Sequence, residues 1–143
     1  MRQPPLILIA DDDIDFREIV LTKLEDNGFV VDTAKNGKEA VEKVKALLPD
    51  LVLMDIKMPG ENGTEAVIDL KNNQIFKDLK IIFFSSLDIP WPGIKDEEKL
   101  SRELGAVTFF KKATDLDELV KKIKEVLQLK TSAEGGSASG GKN

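Results

Sequence analysis

Four acids in this chain fall where apolar runs stop. "LILIADDD" (residues 6–13) passes from four aliphatic side chains and an alanine into Asp11, Asp12 and Asp13. "LVLMDIKMPGENG" (residues 51–63) runs into Asp55, then breaks at Met58, Pro59 and Gly60. A carboxylate at the end of a buried strand is costly unless something pairs with it. If the two runs are neighbouring strands, Asp11, Asp12 and Asp55 share one small surface, where like charges raise one another's pKa. A hard divalent cation resolves that repulsion, and Mg²⁺ takes oxygen ligands from one or two carboxylates together with phosphate oxygens. Asp12 and Asp13 could instead cap a following helix, where anions are favoured. No cap accounts for Asp55.

Two more runs end in functional groups. "IIFFSS" brings Ser85 and Ser86, and "FFKK" brings Lys111 or Lys112. Strand alternation alone does not choose between the lysines. A hydroxyl and an ammonium beside three acids outline a phosphoryl site. Asp55 would be the nucleophile that forms an acyl phosphate. The cation and the lysine would neutralise developing charge, and the hydroxyl would donate to a phosphoryl oxygen. Singly, such a Ser is ordinarily a turn residue and such a Lys a solvated charge. Their meeting at one edge carries the reading.

The elements that must position these groups alternate along the chain. Short apolar runs at residues 6–10, 29–34, 51–54, 80–84 and 107–110 read as strands, most of them continuous enough to be buried on both faces. Residues 29–34 are more mixed and suit an edge. Between the runs lie segments with helical spacing at 14–27, 37–48, 64–73, 95–104 and 115–129. Their predicted inner faces include Phe16, Ile19, Val20 and Leu24 in the first and Ala40, Val41, Val44 and Leu48 in the second. Gly28 and Pro49 are stop signals. Five βα units predict an α/β fold: a doubly wound, five-stranded parallel sheet with helices on both faces. Ligands in such sheets bind at the carboxyl ends of the strands, which is where the acids fall.

The 143 residues fit one domain, read as 1–130, with a core that needs no staples. With no cysteine and no histidine, disulfides, thiolate or imidazole metal sites and a Ser-His-Asp triad are all excluded, as is a histidine phosphodonor within the chain. A net charge of −5 disfavours direct attachment to nucleic acid. The N-terminal apolar run is too short to span a membrane, so a soluble cytoplasmic protein with no membrane partner is the expectation. Residues 131–143, "TSAEGGSASGGKN", read as a flexible Gly/Ser-rich tail.

"ADDD", "LVLMDIKMPGENG", "IIFFSS" and "GAVTFFKKA" together resemble the receiver domain of bacterial two-component response regulators, of the single-domain, chemotaxis-regulator type. The likeness runs from residue 6 to about residue 129, in the family's order and close to its spacing. It implies the flavodoxin-like strand order 2-1-3-4-5. It implies that Asp55 is the phosphoacceptor and that Asp11 and Asp12 handle Mg²⁺, Asp12 being the direct ligand, with the Lys57 backbone carbonyl completing the coordination. Ser85 matches the switch hydroxyl, Lys112 the site lysine and Phe109 the rotating aromatic. The implied partners are a sensor histidine kinase or histidine phosphotransfer protein, and an output protein on the face of the fourth helix, fifth strand and fifth helix. A second copy, in a homodimer, is a further partner the resemblance allows. No DNA-binding helix-turn-helix fits after Leu129, so output is expected by protein contact or through a domain outside this chain. The implied protein is a signalling phosphoacceptor that catalyses only its own phosphorylation and dephosphorylation. Lys57 and Leu87 stand where the family controls water access, and they predict slow self-dephosphorylation.

Two departures bear on this. Ala113 follows Lys112 where the family has proline, often cis. That predicts either a trans bond with a shifted lysine or a strained cis bond, since cis before a non-proline residue costs about 3 kcal/mol. "LDIPWPGIKD" (residues 87–96) is longer than usual, and its Trp91 reads either as a cover for the sheet edge or as a partner anchor. Three other functions compete. One is a haloacid-dehalogenase-like phosphatase, whose D-x-D signature is broken by Lys57. The second is a pseudo-receiver that binds partners without phosphorylation. The third is a flavodoxin-like nucleotide binder, for which no Gly-rich loop follows the first strand.

Overall fold

The computed structural model describes residues 2–58, 60–86 and 93–129. Among them five strands alternate with five α-helices: β1 (Leu6–Ala10), α1 (Ile14–Asp26), β2 (Val30–Ala34), α2 (Gly37–Leu47), β3 (Leu51–Asp55), α3 (Gly63–Lys71), β4 (Lys80–Ser85), α4 (Glu97–Leu104), β5 (Thr108–Lys111) and α5 (Leu116–Val126). The strands form one sheet, all parallel, in the expected order β2-β1-β3-β4-β5. The mixed run at residues 29–34 is indeed the edge strand β2, although Phe29 precedes it. No described helix is long and apolar enough to cross a membrane.

Local chemistry explains where each helix starts. Asp13, Asn36, Asn62, Asp96 and Asp115 cap the five helices, each side-chain oxygen accepting a backbone N–H two or three residues on. At α3 this becomes a full capping box, in which Asn62 Oδ1 accepts from Glu65 N–H at 3.0 Å and Glu65 Oε1 accepts from Asn62 N–H at 3.0 Å. Asn62→Ala should cost about 1 kcal/mol in urea unfolding.

Alternate strand residues feed two separate cores, as they must in a two-sided sheet. Leu8, Ala10, Val52, Met54, Ile81 and Phe83 pack with α2 and α3 side chains on one face. Ile7, Ile9, Leu51, Leu53, Ile82 and Phe84 pack with α1 and α5 on the other. Asp55 continues the second series, so its side chain belongs to the α1–α5 face.

Several boundaries differ from the sequence reading. Asp55 is the last residue of β3 and Ser85 the last of β4; β5 runs from Thr108 to Lys111, one residue later than expected. Helix α3 stops at Lys71, and a 3₁₀ turn at Gln74–Phe76, which periodicity did not reveal, follows it. Helix α4 begins at Glu97 rather than residue 95, and α5 is trimmed at both ends. Two residues assigned to inner faces are exposed. Ile19 is 55% exposed, because the buried stripe of α1 follows the i, i+4 row through Val20 and Leu24. Leu48 is 58% exposed: α2 ends before it, and its left-handed φ of 51° turns the side chain off the helical track. Trp91 and the tail at 131–143 lie outside the described residues, as do Leu87 and Pro59.

The turn after β3 is closed by Gly63. Its N–H donates to the Ile56 carbonyl at 2.9 Å, and a Cβ there would lie 2.0 Å from the Asp55 carbonyl oxygen and 3.0 Å from Met54 Cγ. Gly63→Ala must push the helix start away from the strand end. We expect a loss of about 3 kcal/mol in urea unfolding, at the upper end of overpacking costs.

Candidate functional site

Sheet register brings the acids level. Ala10 pairs with Met54, so the residues that follow, Asp11 and Asp55, emerge side by side. Asp55 pairs with Phe84, and Ser85 pairs with Lys111, which sets the next two strand ends one step further out. Carboxylate oxygens of Asp11, Asp12 and Asp55 lie within 4.8 Å of one another. Asp11 is fully buried, Asp55 nearly so and Asp12 exposed. The backbone is tied on every side: Asp11 N–H donates to Ala34 O at 3.0 Å, Ile56 N–H to Phe84 O at 3.1 Å and Lys112 N–H to Ser85 O at 2.9 Å.

The lysine is resolved in favour of Lys112. Its Nζ is 2.6 Å from Asp11 Oδ2 and 3.3 Å from Asp55 Oδ2, while Lys111 is exposed. The Asp11 contact is a close ion pair to a fully buried carboxylate. Among the described peptide bonds only Gln3–Pro4 is cis, so Lys112–Ala113 is trans, and the lysine reaches both acids nonetheless.

Electrostatics follow from this crowding. Burial, and then the Asp11 charge, push the Asp55 carboxyl from its ordinary 3.8 up to about 7, against the opposing pull of Lys112. For Lys112 burial alone would lower the pKa, but contacts with Asp11 and Asp55 outweigh it and the net shift is upward. Above the acids lies an open cleft of about 500 Å³, lined by Asp12, Asp13, Phe16, Asp55, Lys57, Ser86, Lys112 and Ala113. Three carboxylates grouped together, Asp12 and Asp55 lining an open cleft and Asp11 buried beside them, suit a hard cation such as Mg²⁺. Asp11, Asp12 and Asp55 could hold it.

The expected hydroxyls divide. Ser86 is exposed and lines the cleft, while Ser85 is 2% exposed and its carbonyl receives Lys112. Phe109 is half-buried and packs against the α2–α3 core. Asp13 is the helix cap, and its own N–H donates to Asp11 Oδ1 at 3.0 Å. Two neighbours of the site escaped the sequence reading. Arg17 Nη1 donates to the Asp11 carbonyl at 2.7 Å, and the Phe16 ring lies against Lys112. Their signal was available: both sit in the first turn of a helix that starts at the acids, where side chains lean back towards the N-terminus.

Comparisons with known proteins agree with this geometry. The family described as "Response regulator receiver domain" matches residues 7–124. Sporulation initiation phosphotransferase F of Bacillus subtilis is 34% identical over 126 residues, 88% of this chain and 96% of that protein. The phosphate regulon transcriptional regulatory protein PhoB of Escherichia coli is 30% identical over 85% of this chain, which spans only 51% of its length. Among solved structures, the receiver domain of Francisella response regulator 1452 matches with a TM-score of 0.77 at 26% identity, covering 87% of this chain and 97% of that one. Response regulator TrrA from Thermotoga maritima, in complex with Mg²⁺-BeF, matches with a TM-score of 0.73 at 33% identity, covering 85% and 98%.

Proposed function

Because the chain belongs to the receiver-domain family of response regulators, we propose that it is a phosphorylation switch with Asp55 as the phosphoacceptor. The observation that carries the proposal is the ion cluster of Asp11, Asp55 and Lys112 beneath an open cleft. An Asp55 carboxylate oxygen attacks the phosphorus of a phosphohistidine on a sensor kinase or phosphotransfer protein. As the new P–O bond forms, the N–P bond breaks and its electron pair returns to the imidazole. Lys112 neutralises charge on the phosphoryl oxygens. Asp11, Asp12, Asp55 and the Lys57 carbonyl would hold Mg²⁺, which would supply the remaining neutralisation. Ser85 and Phe109 are the residues proposed to relay the change, Ser85 moving towards the phosphoryl group and Phe109 into the space vacated. The face formed by α4, β5 and α5 is the proposed output surface. The setting we propose is the cytoplasm.

Lys112 within reach of both acids supports this reading over an interaction module that is never phosphorylated. Lys57, where a phosphatase of the D-x-D kind carries its second acid, counts against an ester hydrolase. Acetyl phosphate with Mg²⁺ tests the proposal directly. The intact protein should gain one phosphoryl group by mass, and chelation of the metal or Asp55→Asn should abolish the gain. An unchanged wild-type mass under these conditions would sink it.

A further inference from the structure

Lys112 has to be aimed: its N–H bond to the Ser85 carbonyl at 2.9 Å fixes the backbone but not the long side chain. It lies beyond the end of β5, and the next residue, Ala113, is exposed and joined by a trans peptide. A lysine stem is flexible, and its ammonium accepts anions from any direction. Even so, the side chain is only 11% exposed. Besides the two carboxylates it meets two aromatic faces. Nζ lies 4.7 Å from the centroid of Phe16 and 5.2 Å from that of Phe84. The two rings pack on each other at 5.6 Å with a 42° tilt, so together they form one wall.

The rings are not equivalent. Phe84 is fully buried in the α1–α5 core, so its loss would damage the fold. Phe16 is half-buried and lines the cleft, so it can be changed alone. Its position is tied to the acids within one turn of chain. Its N–H donates to Asp13 Oδ1 at 3.2 Å, and Asp13 N–H donates to Asp11 Oδ1 at 3.0 Å. These two bonds hold the Phe16 backbone next to the buried acid.

We propose that Phe16 is a positioning residue for phosphoryl transfer, its ring holding the Lys112 ammonium over the acid pocket while the Lys112 N–H bond to Ser85 fixes only the backbone. This rests on Asp55 being the phosphoacceptor. A ring face suits the task because it attracts a cation anywhere over its surface, not along one bond, and does so more strongly where water is excluded. When a phosphoryl group arrives, the ammonium must exchange part of its contact with Asp11 and Asp55 for a phosphoryl oxygen. It can slide along the ring without breaking a directional bond. A hydrogen-bonding wall would hold it to one acceptor.

The test compares wild type, Phe16→Leu and Phe16→Tyr, each alone and with Lys112→Met, in the full chain. Leu keeps an apolar filler without a ring face, and Tyr keeps the face. With acetyl phosphate and saturating Mg²⁺, Phe16→Leu should slow the mass gain roughly fivefold and Phe16→Tyr should restore it. In the Lys112→Met background Phe16→Leu should have no further effect. Equal slowing in both backgrounds, or no slowing in either, overturns the proposal. Wild type that never gains mass overturns the phosphoacceptor reading instead. Should Phe16→Leu fail to fold, NMR of wild type decides: ring current must shift the Lys112 ε-methylene protons upfield, and unshifted protons overturn the proposal.

Discussion

Asp55→Asn should make the metal-free protein more stable. The Asp55 carboxyl titrates at about 7 in the folded chain against 3.8 ordinarily, chiefly because it is buried and then because Asp11 is near. Well below its ordinary 3.8 it is protonated whether the chain is folded or not, and it carries no penalty. As pH rises, the unfolded chain releases this proton first, while the folded chain keeps it until about pH 7. Stability therefore falls across that window by about 1.4 kcal/mol per unit at most. Solvent in the open cleft screens part of this, so the whole penalty at pH 8 should be about 2 to 4 kcal/mol. Asparagine never ionises. Urea unfolding at pH 8 should show Asp55→Asn ahead of wild type by about that margin, with the two curves converging near pH 4. Equal stability at pH 8, or a gap that widens in acid, would refute the argument. Millimolar Mg²⁺ should narrow the gap by stabilising wild type alone.

Lys112→Met should have the opposite sign. It leaves Asp11, which is fully buried, without the cation 2.6 Å from its Oδ2. Breaking a buried pair from one side typically costs about 3 to 5 kcal/mol. Here Asp55 can take up a proton and relieve part of the strain, so about 3 kcal/mol is expected at pH 8 without metal. Added Mg²⁺ should restore much of the loss. Because the two residues share one cluster, their effects should not add. Asp55→Asn in the Lys112→Met background should recover more stability than it gives wild type. Strict additivity would mean that the ammonium does not couple to Asp55, despite the 3.3 Å contact.

How much of this was legible in the sequence depends on which residues are considered. The strand ends were readable because a parallel sheet needs unbroken apolar runs, and a run such as Leu51–Asp55 announces where it stops. The strand order followed from resemblance, and the convergence of Asp11 with Asp55 then followed from the rule on strand ends. The choice of Lys112 over Lys111 came from resemblance and not from alternation, because one residue of phase decides it and β5 is only four residues long. Ile19 was placed inside since helical spacing admits both i+3 and i+4 neighbours, and only packing selects between them. Leu48 was placed inside because the turn to a left-handed backbone leaves no composition signal when the residue is not glycine. The first-turn position of Phe16 signalled that it lies near the acids, but its contact with Lys112 joins residues far apart in the chain and only the folded sheet brings them together.

The alternation of β3 between two dry compartments has a consequence for how this segment can vary. Leu51 and Leu53 serve one compartment, Val52 and Met54 the other. Deleting any one of them would swap the compartments for every residue beyond the cut and rotate Asp55 to the wrong side of the sheet. Substitution can be absorbed here and a frame change cannot, so natural length variation in this protein should be confined to the connections between elements and absent from Leu51–Asp55.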